Sequence, residues 1–167
     1  MDTIEALPAP VVEHAAFEDG YRGARRSAFL LARYLGCSTE DAHDAVQDAA
    51  LRAWRYRAAR HGPFRPWFLK IVFRTATRAR RRWVLWPVAW RASADEAPEV
   101  TSGWDPALVG ALNRLPARQR AALWLRYCED LSTASVAAVM GTSEAAAKQL
   151  LLRARTALRE EMRRYGS

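Results

Sequence analysis

Between Ser132 and Arg159 the chain carries side chains that can read or clamp a polyanion, at spacings that gather them on one surface. Glu144, Ala145, Lys148, Gln149 and Leu152, with Arg153 and Arg155 further along, stand clear of the apolar series Ala147, Leu151, Ala154 and Leu158. Gln can pair with adenine through two hydrogen bonds, and Lys or Arg with guanine or phosphate. Upstream, Arg118, Gln119 and Arg120 open a helix at Pro116, where they can hold a nucleic-acid backbone. A second basic cluster, Arg78, Arg80, Arg81 and Arg82, closes an earlier helix.

Local signals set the elements that must position these groups. Ser132 caps a short helix with Val136, Val139 and Met140 inside, and Gly141 permits the left-handed turn that ends it. Ser143 then caps the next helix, whose apolar residues repeat at four, three and four. Together they predict a helix-turn-helix within Leu115 to Arg159, whose second helix enters a major groove by its first turns. An ordinary helical hairpin with a solvated basic face would not need cap, glycine, cap and stripe to agree.

The remainder reads as helix and connector. Residues 1–14 form a tail with Pro8 and Pro10. Phe17, Tyr21, Ala24, Ala28, Leu31 and Leu35 make one helical face that stops at Gly36. Ser38 caps a second helix, with Asp41 in the capping-box position and Ala42, Ala45, Val46, Ala49 and Ala53 inward, running toward Gly62-Pro63. A third helix begins around Pro66 and buries Phe68, Ile71, Val72, Thr75 and Ala79. Residues 83–105 are rich in Pro, Ala, Ser and acid, yet carry Trp83, Trp86, Trp90 and Trp104. These aromatics either pack on a domain or anchor a partner. Helices follow at 106–113, 116–129, 132–140 and 143–163. The expected fold is all-α: two small helical domains, 15–82 and 106–167, joined by a flexible linker at 83–105.

Charge follows the same division. Residues 1–82 hold 15 Lys and Arg against 9 Asp and Glu, residues 83–106 hold 1 against 4, and residues 107–167 hold 10 against 5, for a net +8. Two basic blocks around an acidic connector suit two nucleic-acid-facing modules. The two cysteines, Cys37 and Cys128, and three histidines do not form a zinc pattern, and the thiols fit a reducing cytosol. No glycine-rich phosphate loop or nucleophile elbow is present, so no enzyme, cofactor or metal is expected. No leader or membrane-spanning run stands out, which points to a cytoplasmic protein without membrane insertion.

The residues Leu-Pro-Ala-Arg-Gln-Arg at 115–120, Leu-Arg-Tyr at 125–127, Leu131-Ser132, Gly141 to Glu144, and Lys148 with Arg153-Ala-Arg155 fall in the order found in one family. They closely resemble the C-terminal domain of extracytoplasmic-function sigma factors of bacterial RNA polymerase. That resemblance implies recognition of the minus-thirty-five promoter element through Arg118, Gln119, Ser143, Glu144, Ala145, Lys148, Gln149 and Arg153. Residues 42–48, with Leu51 and Trp54, look like the sigma segment that docks on core RNA polymerase, implying contacts by Asp44, Gln47, Asp48, Leu51 and Arg52. Phe64 to Ile71 and the Arg cluster after it look like the segment that opens and reads the minus-ten element, implying roles for Phe64, Arg65, Trp67, Lys70, Arg74, Arg78 and Arg81. Opened DNA needs aromatic platforms and phosphate-binding cations, and this set supplies both. Family membership also implies promoter DNA and core polymerase as partners, and in many members an anti-sigma factor.

The chain departs from the family at His43, where a Glu is usual, at Ala45, Ala49 and Ala50, where larger apolar residues are common, at Arg74 in place of Asn, and at Ala146 and Leu150 in the recognition helix. These leave its promoter sequence unspecified. Two other classes compete. A stand-alone DNA-binding regulator would leave the 44–54 resemblance without purpose. A helical protein-binding adaptor predicts weak DNA binding with little salt dependence, where phosphate contacts predict a steep one.

Overall fold

A computed structural model describes the backbone of residues 9–84 and 103–165, with side chains described for 13–79 and 103–164. Seven α-helices follow in order: α1 (Ala9–Tyr34), α2 (Thr39–Arg55), α3 (Phe64–Val84), α4 (Pro106–Arg114), α5 (Ala117–Leu123), α6 (Thr133–Met140) and α7 (Glu144–Tyr165). No strand occurs among the described residues. Helices α1, α2 and α3 pack together, as do α4 to α7.

Helix α1 begins at Ala9, eight residues before the expected start at Phe17, with Pro10 in its first turn. Its inward face is the expected one, with Ala24, Ala28, Leu31 and Leu35 buried. It ends at Gly36 (φ 90°), where the Gly36 and Cys37 amides donate to the carbonyls of Arg33 and Ala32. Ser38 Oγ caps α2, accepting from the Asp41 amide at 3.1 Å. The five residues expected inside α2 are its buried set. This helix stops at Arg55, not at Gly62; a 3₁₀ turn over Arg57–Ala59 leads into α3.

Helix α3 is buried more broadly than its period suggested. Phe68, Val72 and Thr75 are inside as expected, but so are Leu69, Phe73 and Ala76. The first three face the N-terminal bundle. The second three lie on an adjacent stripe, and α6 of the C-terminal bundle packs against α3. One hydrophobic cluster therefore runs through both bundles.

In the C-terminal bundle Asp105 caps α4, accepting from the Ala107 amide at 2.9 Å. The single helix expected over 116–129 is two elements: α5, then a π-helical turn over Trp124–Cys128, after which Asp130 takes a positive φ. Linker residues 85–102 lie outside the described residues, and so do the side chains of Trp83, Trp86 and Trp90. Trp104 is described: it packs on the core and lines a cavity of about 470 Å³ with Tyr34, Leu108, Trp124, Leu158 and others.

Two helical glycines in α1 separate packing from propensity. A Cβ at Gly20 would sit 2.7 Å from Phe64 Cγ, whereas one at Gly23 meets nothing within 4 Å. Gly23→Ala is expected to stabilise the chain by up to about 1 kcal/mol through helix propensity. Gly20→Ala should forfeit that gain and destabilise by about 1–2 kcal/mol through overpacking. Urea denaturation of the two variants beside the parent decides it; equal shifts would mean Phe64 does not press on α1.

Candidate polymerase and nucleic-acid interfaces

On α2, a helix turning 100° per residue puts Asp44, Gln47, Asp48 and Leu51 opposite the buried alanine stripe. Asp44, Gln47 and Arg52 are exposed and Asp48 is half-buried. Asp48 Oδ2 pairs with Arg52 Nε at 3.1 Å, one turn on. Leu51 is 71% exposed and Tyr56, at the helix end, 60%. They are the large exposed hydrophobic residues of the N-terminal bundle among those described. An acidic face studded with exposed apolar groups suits a protein partner rather than a phosphate backbone. Tyr56 was not picked out from the sequence; its place past the helix end breaks the period that would have flagged it. Trp54 turns inward, edge-on to His14 and Phe17, with the Arg57 guanidinium 3.9 Å above its ring.

The residues assigned to the minus-ten element divide between two sides of α3. Lys70, Arg74 and Arg78 share the face turned away from both cores, Arg74 and Arg78 exposed and Lys70 half-buried, while Trp67 at its edge is half-buried and packs against the core. Phe64 lies on the packed side, stacked on Phe68 at 5.6 Å and edge-on to Phe17 and Trp67. It supports Trp67 rather than standing free as a platform. Arg65, about half exposed, bridges the bundles: it donates to Ser27 Oγ and lies 2.7 Å from Glu129 Oε2 in the C-terminal bundle. The Arg81 side chain lies outside the described residues.

The helix-turn-helix forms as its signals required. Ser132 Oγ accepts from the Ser135 amide, Gly141 is left-handed (φ 65°), and Ser143 Oγ accepts from the Ala146 amide, both cap bonds at 3.1 Å. Ala147, Leu151 and Ala154 are buried, while Glu144, Ala145, Lys148, Gln149, Leu152 and Arg153 are exposed together on α7. The run Leu150 to Leu152 is thereby split: Leu151 in the core, Leu150 against it, Leu152 at the surface. Arg118 and Gln119 do not join this face. Arg118 sits 5.9 Å over the Phe73 ring of α3, and Gln119 is half-buried with an enclosed side-chain oxygen. Arg120 Nε donates to the Tyr34 carbonyl at 3.1 Å and its Nη1 to the Asn113 carbonyl.

Where the bundles meet, Tyr34 of α1 stacks on Trp124 of the π turn, ring centroids 5.0 Å apart. Burial, with Cys128 nearby, pushes the Tyr34 hydroxyl up to about 12, against a smaller opposing effect of Arg120. Burial and Glu129 push the Cys128 thiol from 9.0 up to about 11. No cluster able to hold a metal ion and no helix long and apolar enough to cross a membrane occurs among the described residues.

Residues 21–83 match the family described as Sigma-70 region 2, and residues 106–158 that described as Sigma-70, region 4. The chain is 32% identical over 163 residues to the ECF RNA polymerase sigma factor SigM of Mycobacterium tuberculosis, covering 92% of this chain and 81% of the relative. It is 35% identical over 154 residues to SigG of the same organism, covering 72% and 42%. In fold it resembles the sigma factor RpoE of Bartonella quintana, solved with the anti-sigma factor NepR. The TM-score is 0.66 at 22% identity, covering 89% of this chain and 97% of that one.

The raised thiol and phenol give a pH dependence with a definite sign. Both groups hold their protons longer folded than unfolded, so their contribution is intact below about pH 9 and is lost as pH rises toward 11 and 12. Thermal midpoints should fall across that window. At pH 8, Cys128 should react with iodoacetamide about a hundredfold more slowly in the folded chain than in urea, since only the thiolate reacts. A folded-state rate equal to the unfolded one would contradict the raised thiol, because Cys128 is exposed as a residue and only partial desolvation with Glu129 holds its proton.

Proposed function

This chain belongs to the extracytoplasmic-function family of RNA polymerase sigma factors, and we propose how its described surfaces divide the work of that role. A sigma factor directs core polymerase to promoters. The observation that carries the division is the separation of chemistries: an acidic face with exposed Leu51 and Tyr56 on α2, and basic faces on α3 and α7.

The unit 15–82 docks on core polymerase through Asp44, Gln47, Asp48, Leu51 and Arg52, joined by Tyr56. Carboxylates there attract a basic partner and repel DNA, while the apolar pair supplies buried area. On α3, Trp67 stacks an unpaired base of the minus-ten element, held edge-on by Phe64, and Lys70, Arg74, Arg78 and Arg81 follow the phosphates. The unit 106–167 lays α7 in the major groove at the minus-thirty-five element. There Lys148, Gln149 and Arg153 meet bases or phosphates, Ser143 fixes the helix start, Glu144 and Ala145 set the approach, and Leu152 can meet a thymine methyl. Residues 83–105 connect the two. The chain works in the cytoplasm without catalysis of its own; bond formation belongs to the polymerase. The structural neighbour is held by an anti-sigma factor, and a protein of that kind is the regulator we assign here.

Transcription with core polymerase on a genomic fragment library tests the role, with initiation expected above core alone. Absence of initiation by folded, DNA-binding protein would sink these assignments. Replacing Asp44 and Asp48 together by Ala should weaken binding to core polymerase by about 1–3 kcal/mol and leave duplex binding unchanged, read by calorimetry and by anisotropy. Arg74→Ala should lower the salt slope of DNA binding by about one. A slope that does not move removes Arg74 from the phosphate path.

A further inference from the structure

The geometry points to a binding site for a dissolved single-tailed aliphatic carboxylate in the cavity of about 470 Å³. The cavity lies between α4, α5, the π turn and the second half of α7, with Tyr34 of α1 on one side. Its size falls within the span of small-molecule sites, about 300–1,000 Å³. Nothing in the promoter role assigned above uses it.

The wall fixes what the body of the ligand must be. Leu108 and Leu112 of α4, Leu123 of α5, and Leu158 and Met162 of α7 supply aliphatic carbon. Tyr34, Trp104 and Trp124 add aromatic rings. Tyr34 Oη and Trp124 Nε1 are each enclosed, so these two rings present carbon to the cavity. Cys128 adds a thiol, a weak hydrogen-bonding group. Arg120 contributes its stem, because its Nε and Nη1 donate to the carbonyls of Tyr34 and Asn113. A polar group entering here would lose its water and recover no hydrogen bond. A hydrocarbon tail loses nothing, and each methylene it buries strengthens binding about fourfold.

The mouth fixes the charge. Arg155 and Arg159 also line the cavity, and their spacing of four sets them one turn apart on the same side of α7. Both are exposed, and neither makes an ion pair or hydrogen bond with another described residue. No Asp or Glu lines the cavity. Arginine stems cover apolar surface while their guanidiniums stay in water. Two unpaired cations therefore stand where an apolar tail would end. A carboxylate can take charge-assisted hydrogen bonds from both while keeping much of its water. An ammonium head of the same size would be repelled. Enclosure by several elements suits a dissolved amphiphile, whereas a membrane contact needs a protruding apolar face.

The test titrates the full chain by calorimetry with octanoate, decanoate and dodecanoate, each below its micelle concentration. One equivalent should bind, with affinity rising about fourfold per added methylene. Decanol and decyltrimethylammonium separate the head from the tail, and the ammonium should bind more weakly than decanoate. The double variant R155A/R159A should bind decanoate about tenfold more weakly and decanol as the parent does. Both positions are exposed, so this variant leaves the core intact. L108W, which fills the cavity, should bind neither; if it does not fold, R155A/R159A decides alone. Four results overturn the site: no binding of any carboxylate, affinity independent of tail length, several equivalents bound, or a double variant that binds decanoate like the parent. Binding that appears only after Trp86 and Trp90 are both replaced by Ser would give the cavity to the connector instead. Capture by phosphatidylglycerol vesicles without binding of dissolved decanoate would make it a membrane contact. Either outcome also overturns the proposal.

Discussion

A helix whose apolar residues occupy two adjacent stripes cannot be solvated on either, and α3 is such a helix. Phe68, Val72 and Thr75 need the N-terminal bundle, and Leu69, Phe73 and Ala76 need a second cover. Burying a large apolar side chain is worth about 1.5–3 kcal/mol, so Leu69 and Phe73 alone give the C-terminal bundle a substantial reason to dock. This double burial also dictates where charge can go. With roughly half the circumference of α3 enclosed, its cations must collect on what remains. Lys70, Arg74 and Arg78 therefore form a single row by exclusion as much as by design.

The separation of surfaces has the same origin. Helix α2 buries alanines, which let it lie close to α1 and α3 while contributing little apolar area of its own. Its opposite face is consequently free to carry Asp44, Gln47 and Asp48 without any cost to the core. Placing carboxylates there and arginines on α3 and α7 gives one small chain two faces of opposite potential. Such faces sort a basic protein partner from a polyanion before any specific contact forms.

Periodicity and caps were enough to read the parts that obey local rules. The Ser38, Ser132 and Ser143 caps, the Gly36 and Gly141 stops, the alanine stripe of α2 and the inward stripe of α7 are all local chemistry, and all are present in the structure. What escaped depends on contacts between distant segments. Leu69, Phe73 and Ala76 belong to no stripe that one bundle would need, so a single-domain period left them out. Arg65 sits in a basic stretch and was read with its neighbours, yet its half-exposed guanidinium reaches Ser27 and Glu129 across the bundle boundary. Arg118 and Gln119 were read as backbone contacts because they open α5, but Arg118 lies 5.9 Å over the Phe73 ring of α3 and the Gln119 side-chain oxygen is enclosed. The early start of α1 at Ala9 went unseen because Pro8 and Pro10 look like loop, although proline is tolerated in a first turn. Its Glu13 reaches Arg57 at 3.0 Å, a tertiary contact that helps hold the extra turn.

The π turn explains how one short segment can grip the other bundle at two points. In an α-helix Glu129 would align most nearly with Leu125, which is fully buried within its own bundle. The wider turn instead bonds the Glu129 amide to the Trp124 carbonyl at 3.1 Å, five residues back, and brings these two residues into line. Trp124 then meets Tyr34 of α1, and Glu129 meets Arg65 of α3. Asp130, at positive φ, ends the irregularity and turns the chain toward the Ser132 cap. A regular helix over the same residues would present a leucine and an aromatic on separate faces and would reach the N-terminal bundle with only one of them. The widened turn is therefore the local distortion on which the contact between bundles depends, and it lies directly upstream of the helix-turn-helix whose placement that contact sets.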